Sequence, residues 1–413
     1  MLILHLALNK VVTLQIETTE EMNMTFTLDI SPLVWTLLAL GFVLALGYAL
    51  WRWMNTRRMK KFVEQTEQSR DYLDELPPIS IIVDACNETD QLVRFLPLVL
   101  NQDYPEYEVI VIADGAAEST SDMLSEMKAQ YPNLHITFTP HGTRSLSRKK
   151  LALMIGVKAA HHDIVLTTNA NCRPTSDQWL RLMARNFVPG IDVVLGYSHY
   201  RYHRDKRWAR HWRILDTVTT AMQWIGSAIS GRPYRGITDN LAYRKHLFFD
   251  VNGFAQTMNL TWGEDDVFLC QIARGDNTRV ELVPESQLSV YYENIFRAHR
   301  LLRTRRDFTS RLVPRRAFIE HGAMSWVLWL AHAALIAAVV LAWPNATVLV
   351  AAIVLIAALW VVVTLLTRCD CKLLQAPPLR LTAMPLTLAR PFINAKYWLR
   401  ELRHKKTNYT TYI

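Results

Sequence analysis

Three consecutive carboxylates, Glu264-Asp265-Asp266, stand directly before the apolar run Val267-Phe268-Leu269. A carboxylate set against a hydroxyl can remove its proton as that oxygen attacks. Glu264 and Asp266 are close enough to raise the pKa of Asp265 by like-charge repulsion. The triplet equally fits an acidic first turn favoured by a helix dipole. A second group is basic. Lys149 and Lys150 open a helical stretch, where the dipole disfavours cations and a bound anion would favour them. Arg144, Arg148 and Arg173 lie nearby in the chain. A third group is neutral: Asn169 and Asn171, at the end of the apolar run DIVLTTNANC. Amide oxygens would hold magnesium or manganese far more weakly than aspartates, and asparagine is also an ordinary loop residue. Asp114 ends another apolar run and either caps the next turn or meets a ligand.

Placing these groups together requires an alternating scaffold. ISIIVDAC, YEVIVIAD, LHITFTP, DIVLTTNA and VVLGYSHY read as five strands. Between them, TDQLVRFLPLVLNQ, STSDMLSEMKAQ, SRKKLALMIGVKAA and SDQWLRLMARNF read as helices, with N-caps at Ser119 or Thr120, at Ser147 and at Ser176. Strands alternating with helices build a parallel sheet covered on both faces. Ligands then bind beyond the carboxyl ends of the strands, where Asp84, Asn87, Glu88, Asp114, Asn169 and Asn171 fall. No GxGxxG or GxxxxGK[ST] loop occurs there, which disfavours a dinucleotide dehydrogenase or a P-loop ATPase.

Three runs, 32–53, 323–343 and 346–367, are long and apolar enough to cross about 30 Å of hydrocarbon. Tryptophans lie near their ends, as an aromatic belt would. WRWMNTRRMKK follows the first run, which places the intervening domain on the cytoplasmic side. Residues 1–31 read as a leader whose true start is open, with Met22 or Met24 as alternatives. Residues 54–76 read as a linker and 296–322 as a basic juxtamembrane segment, whose arginines would bind lipid headgroups or a diphosphate. Residues 368–413 read as an interfacial tail, and His161-His162 as a helix-end cap rather than a metal site. The formal net charge is +9 and the five cysteines are scattered, so no disulfide framework is expected. With three spans, membrane and phosphate partners explain the charge better than nucleic acid does.

The block ISIIVDACNETDQLVRFLPLVLNQDYPEYEVIVIADGAAEST resembles the opening of family 2 glycosyltransferases, which have a GT-A fold and use nucleotide sugars. RKKLALMIGVKAAHHDIVLTTNANCRP is similar to that family's next block, in which a strand ends in Asp-x-Asp. RGITDNLAYRKHLFFDVNGF and TWGEDDVFL resemble its acceptor-side segments. The resemblance implies a Rossmann-like nucleotide-sugar domain over 77–295. Asp114, Asn87 and Glu88 would contact the nucleotide, with Lys149, Lys150 and Arg173 near its phosphates. Asn169 and Asn171 match the metal-binding aspartates. Asp265 matches the catalytic base, flanked by Glu264 and Asp266. A Gln-x-x-Arg-Trp signature, carried by processive relatives, is absent, which disfavours a long-chain polymerase.

The expected protein is therefore α/β, with a mostly parallel sheet and three transmembrane helices, in a bacterial inner membrane. It would move a sugar from a nucleotide donor to a lipid-linked or envelope-glycan acceptor. Three readings of the Asn-Ala-Asn site stand open: fixed cations replace the metal, weaker ligands retain magnesium or manganese, or the domain is a non-catalytic binding or scaffold protein.

Overall fold

The computed structural model describes residue 26 and residues 30–66, 70–85, 89–113, 118–139, 147–201 and 207–402. The residues up to 25, including the leader's alternative starts, lie outside that set. The chain forms two units. One runs to Thr56 and takes in Phe318–Asp370 and Pro378–Pro391; the other comprises Arg57–Ala317, Cys371–Pro377 and the chain from Phe392 onward.

Helix α1 (Pro32–Thr66) starts in the first unit and does not stop at residue 53. Its charged second half keeps helical spacing, so most of the expected linker is helix. The α/β unit then follows in order: β1 (Ile79–Asp84), α2 (Thr89–Leu100), β2 (Tyr107–Ala113), α3 (Glu118–Gln130), β3 (Leu134–Phe138), α4 (Arg148–Ala159) and β4 (Ile164–Asn169). These four strands are parallel, in spatial order β3-β2-β1-β4. β1 is buried along its whole length, which is why its sequence is apolar and β-branched without alternation. In α4, Gly156 lets the helix lie against the sheet. A Cβ there would stand 2.6 Å from Ile82 Cγ2 and 2.9 Å from Ile112 Cδ1.

Beyond β4 come β5 (Cys172–Pro174), α5 (Trp179–Ala184), β6 (Val193–Leu195), β7 (Ser198–Tyr200) and α6 (Arg207–Ile229). Next are β8 (Leu241–Arg244), α7 (Lys245–Asp250), α8 (Asp266–Ile272), β9 (Thr278–Val280), β10 (Leu288–Val290) and α9 (Ile295–Thr309). β8 runs antiparallel to β4 and β6, so the seven-stranded sheet β3-β2-β1-β4-β8-β6-β9 is mixed. The single strand expected from VVLGYSHY is two. β6 stays in the large sheet, and β7 joins a second sheet in the order β5-β10-β7. The break falls at Gly196, where a Cβ would lie 2.4 Å from Asn240 Cγ. Buried Asn240 is the bracket at this split. It donates to the carbonyls of Tyr197 (3.1 Å) and Ser286 (3.0 Å) and accepts from Trp179 Nε1 (3.0 Å).

All three expected caps differ: α3 already includes Glu118, so Ser119 and Thr120 lie inside its first turn. Ser147 precedes α4 but makes no side-chain cap; its hydroxyl donates to the Thr261 carbonyl at 3.3 Å. Ser176 accepts from the Gln178 amide at 3.0 Å, and the helix begins only at Trp179. His161 does not cap a helix end. Its backbone amide donates to Glu108 at 2.7 Å, and its ring Nδ1 lies 2.7 Å from the same carboxylate.

The helical unit is built from α1, α10 (Arg316–Leu341), α11 (Ala346–Leu373) and the start of α12 (Ala383–Leu402). Three of these helices are long and apolar enough to cross a membrane. Val34 and Leu38 of α1 pack with Leu335, Ala338, Val348 and Ala352. Leu328, Ala331, Leu359 and Val363 form a second cluster that includes Met384 of α12. The tail expected at the interface thus contributes part of this unit's core. Buried Asp370 takes a 2.7 Å ion pair from Arg52 and a 2.7 Å hydrogen bond from Thr56.

Candidate functional site

The parallel strands deliver their carboxyl ends together. Asp84 and Asn169 are register partners at the last positions of β1 and β4. Lys149, in the first turn of α4, reaches the same place. Its ammonium donates to Asn169 Oδ1 at 3.1 Å and stands 4.0 Å from Asp84 Oδ2. The amide of Asn169 donates to Asp239, in the turn that leads into β8. Burial works against the charge on Lys149, but Asp84, Glu264 and Asp239 outweigh it and raise its pKa. Burial raises the pKa of Asp239, against the pull of Lys149 and Arg305. Asp239 carried no role in the sequence analysis. Only the reversal of β8 against β4 brings it to Asn169.

Lys150 is used differently. It is fully buried, and its ammonium donates to the carbonyls of Thr257 (2.6 Å), Leu260 (3.0 Å) and Trp262 (3.0 Å). Burial lowers its pKa to about 8. This lysine ties down the segment that leads into the acidic triplet.

Within that triplet the three carboxylates are held apart in function. Arg305 of α9 donates to Glu264 Oε1 at 2.7 Å and to both oxygens of Asp265 at 2.8 and 3.0 Å. Asp266 accepts from Arg235 Nε at 3.0 Å and from the Thr309 hydroxyl at 2.6 Å. Burial pushes Asp265 up to about 7, with Glu264 and Asp266 adding to the rise and Arg305 and Lys149 opposing it. Glu264 and Asp266 stay below their ordinary values, because Arg305 and Arg235 respectively outweigh their burial. A carboxylate that titrates near neutrality beside two fixed anions matches what a general base requires.

Asp265 and Asp266 open onto a cavity of about 110 Å³ whose walls include Tyr197, Trp224, Arg235 and Arg305. Beside it, buried Asp216 pairs with Arg303 (2.8 Å), His299 (3.1 Å) and Arg306 (3.4 Å). The basic run expected to meet lipid or diphosphate therefore divides. Arg303, Arg305 and Arg306 turn to buried carboxylates, while Arg297 and Arg300 are exposed.

The remaining sequence-derived residues are not brought to this cluster. Asn171 is buried and its amide oxygen accepts from Cys172 Sγ at 3.6 Å. Arg173 is exposed and lines a separate cavity with Arg94, Phe95, Leu98 and Tyr291. Asn87, Glu88, Asp114 and Arg144 lie outside the described residues. A divalent ion fits this donor set poorly. The one carbonyl oxygen of Asn169 already faces an ammonium, and no group of three or more Asp, Glu, His or Cys is arranged to hold an ion among the described residues.

Strand order, helix placement and the cluster at the strand ends define a GT-A-type domain. Residues 80–259 match the model described as glycosyl transferase family 2. Glycosyltransferase AglE of Haloferax volcanii is 27% identical over 130 residues, covering 31% of this chain and 41% of that protein. An undecaprenyl-phosphate 4-deoxy-4-formamido-L-arabinose transferase of Proteus mirabilis is 26% identical over 181 residues, covering 42% and 51%. The matched stretches thus span about half or less of those relatives. The mannosyltransferase PcManGT of Pyrobaculum calidifontis, solved with GDP-Man and Mn2+, aligns with a TM-score of 0.54 at 19% identity. That alignment covers 87% of this chain and 99% of the solved one, and it shows the shared fold.

Proposed function

We propose that this protein is a membrane-anchored glycosyltransferase that moves a sugar from a nucleotide donor to a lipid-linked or envelope-glycan acceptor. The observation that carries this reading is Asp265, a carboxylate pushed up to about 7 that opens onto a cavity and follows closely on the segment matching family 2. The acceptor hydroxyl gives its proton to Asp265 while its oxygen bonds to the anomeric carbon. The bond from that carbon to the diphosphate oxygen breaks, and its electron pair leaves with the nucleoside diphosphate. Glu264 and Asp266 raise the basicity of Asp265, and Arg305 holds its orientation. The Proteus mirabilis relative, named for undecaprenyl phosphate, supports a lipid-linked acceptor. Basic residues after the first span support a bacterial inner-membrane protein with this domain in the cytoplasm.

The test is release of UDP or GDP from a panel of nucleotide sugars by purified protein in detergent, with polyprenyl-diphosphate-linked sugars, which carry free hydroxyls, as acceptors. Transfer by the wild type and its loss by ~10²–10⁴-fold in Asp265→Asn supports the reading. A second reading, a nucleotide-binding scaffold, draws on the neutral Asn169. It predicts nucleotide binding with no turnover by either form.

A further inference from the structure

We infer that the ammonium of Lys149 takes the place of the divalent cation at the donor site, so that a nucleoside diphosphate binds without metal. This rests on the donor-site reading proposed above and names the group that meets the diphosphate. Asp84 and Asn169 stand side by side at the ends of adjacent parallel strands, β1 and β4. Lys149 Nζ is 3.1 Å from one and 4.0 Å from the other. An ammonium in that position excludes a second cation by charge and by volume.

The neutral residue at 169 belongs to the same arrangement. An aspartate there would form a three-carboxylate group with Asp84 and Asp239. Asparagine instead accepts from Lys149 through its oxygen and donates to Asp239 through its nitrogen. An aspartate has no hydrogen to offer Asp239, so the substitution satisfies both neighbours where the acid would satisfy one. The Lys149 side chain is 26% exposed, whereas the neighbouring Lys150 is wholly enclosed by carbonyls. Fixed cations stabilise a leaving diphosphate by the same electrostatics as a metal.

The experiment is calorimetric titration of the full-length protein in detergent with UDP and with GDP, in EDTA and in manganese. Wild type is expected to bind one of them in EDTA with a Kd within about threefold of that in manganese. Lys149→Met should weaken that binding by about 10- to 100-fold, as loss of a charge-assisted contact does. Lys149→Arg should keep it within a few-fold, with thermal unfolding showing that both variants are folded. The pair Lys149→Met and Asn169→Asp should restore binding only with manganese. Wild-type binding that needs manganese would overturn the inference and leave the glycosyltransferase reading intact. Unchanged binding by Lys149→Met would overturn it as well. If neither wild type nor the double variant binds UDP or GDP in any condition, the donor-site reading falls together with the inference.

Discussion

Arg305 faces two carboxylates at once, and that contact decides how the pH dependence must run. Asp265 is a base only when deprotonated, and its pKa is about 7. Transfer should therefore rise with pH through about 7 and level off above it. Arg305 and Lys149 lower this pKa, while burial, Glu264 and Asp266 raise it. Replacing Arg305 by Met removes the strongest of the lowering charges, so the inflection should move to higher pH. The check is kcat/KM across pH 5.5–9 for wild type and Arg305→Met, where a purely structural role would lower the plateau without moving the midpoint. Asp265 stood out in the sequence by its place in the block order, although the triplet also suited the first turn of a helix, and a helix does open at Asp266. Lys149 stood out as a cation at a helix start, but its contacts with Asn169 and Asp84 did not. Asp239 was silent, since its meeting with Asn169 joins positions 70 residues apart through a strand reversal that no local pattern announces. Lys149 and Lys150 also look equivalent in the chain. Their different roles follow from which side of α4 each one occupies.

Among the elements, the four parallel strands and their helices were plain from buried β-branched runs separated by helical spacing. Shorter elements were not. β6 and β7 read as one apolar stretch, because the Gly196 break is dictated by Asn240 pressing from a distant turn. Helix α5 is barely more than a turn, shorter than the apolar spacing around it promises. The close approach of α4 to the sheet carries a specific expectation. Gly156→Val would set new carbon atoms against Ile82 and Ile112, costing roughly 1–3 kcal/mol. The helix has to shift, and Lys149 two turns away shifts with it. A lower unfolding temperature together with a weaker Kd for UDP or GDP would bear this out; a lower temperature with unchanged affinity would show that the helix start is fixed independently of its middle.

For the whole molecule, the spans were legible from length and apolarity alone, whereas the polar pins inside the helical unit were not. Arg52 followed the first span as one of several basic residues, yet it is buried against Asp370. Arg52→Met should destabilise by about 3–5 kcal/mol, because it strands a buried carboxylate. Adding Asp370→Asn should recover much of the loss, as measured by thermal unfolding in detergent. The small sheet has a further consequence, for the order of synthesis. β5 is translated early but pairs only with β10, whose partners Cys172–Pro174 and Ser198–Tyr200 must wait for Leu288–Val290. Pairings of such long sequence separation form late. A nascent chain synthesised only as far as β8 already holds Lys149, Asn169 and Asp239, but neither Asp265 nor Arg305. Synthesis thus supplies the cluster proposed to meet the donor before it supplies the proposed base. Release of α10 for insertion follows directly on α9, the helix that brings Arg305 to the acidic triplet.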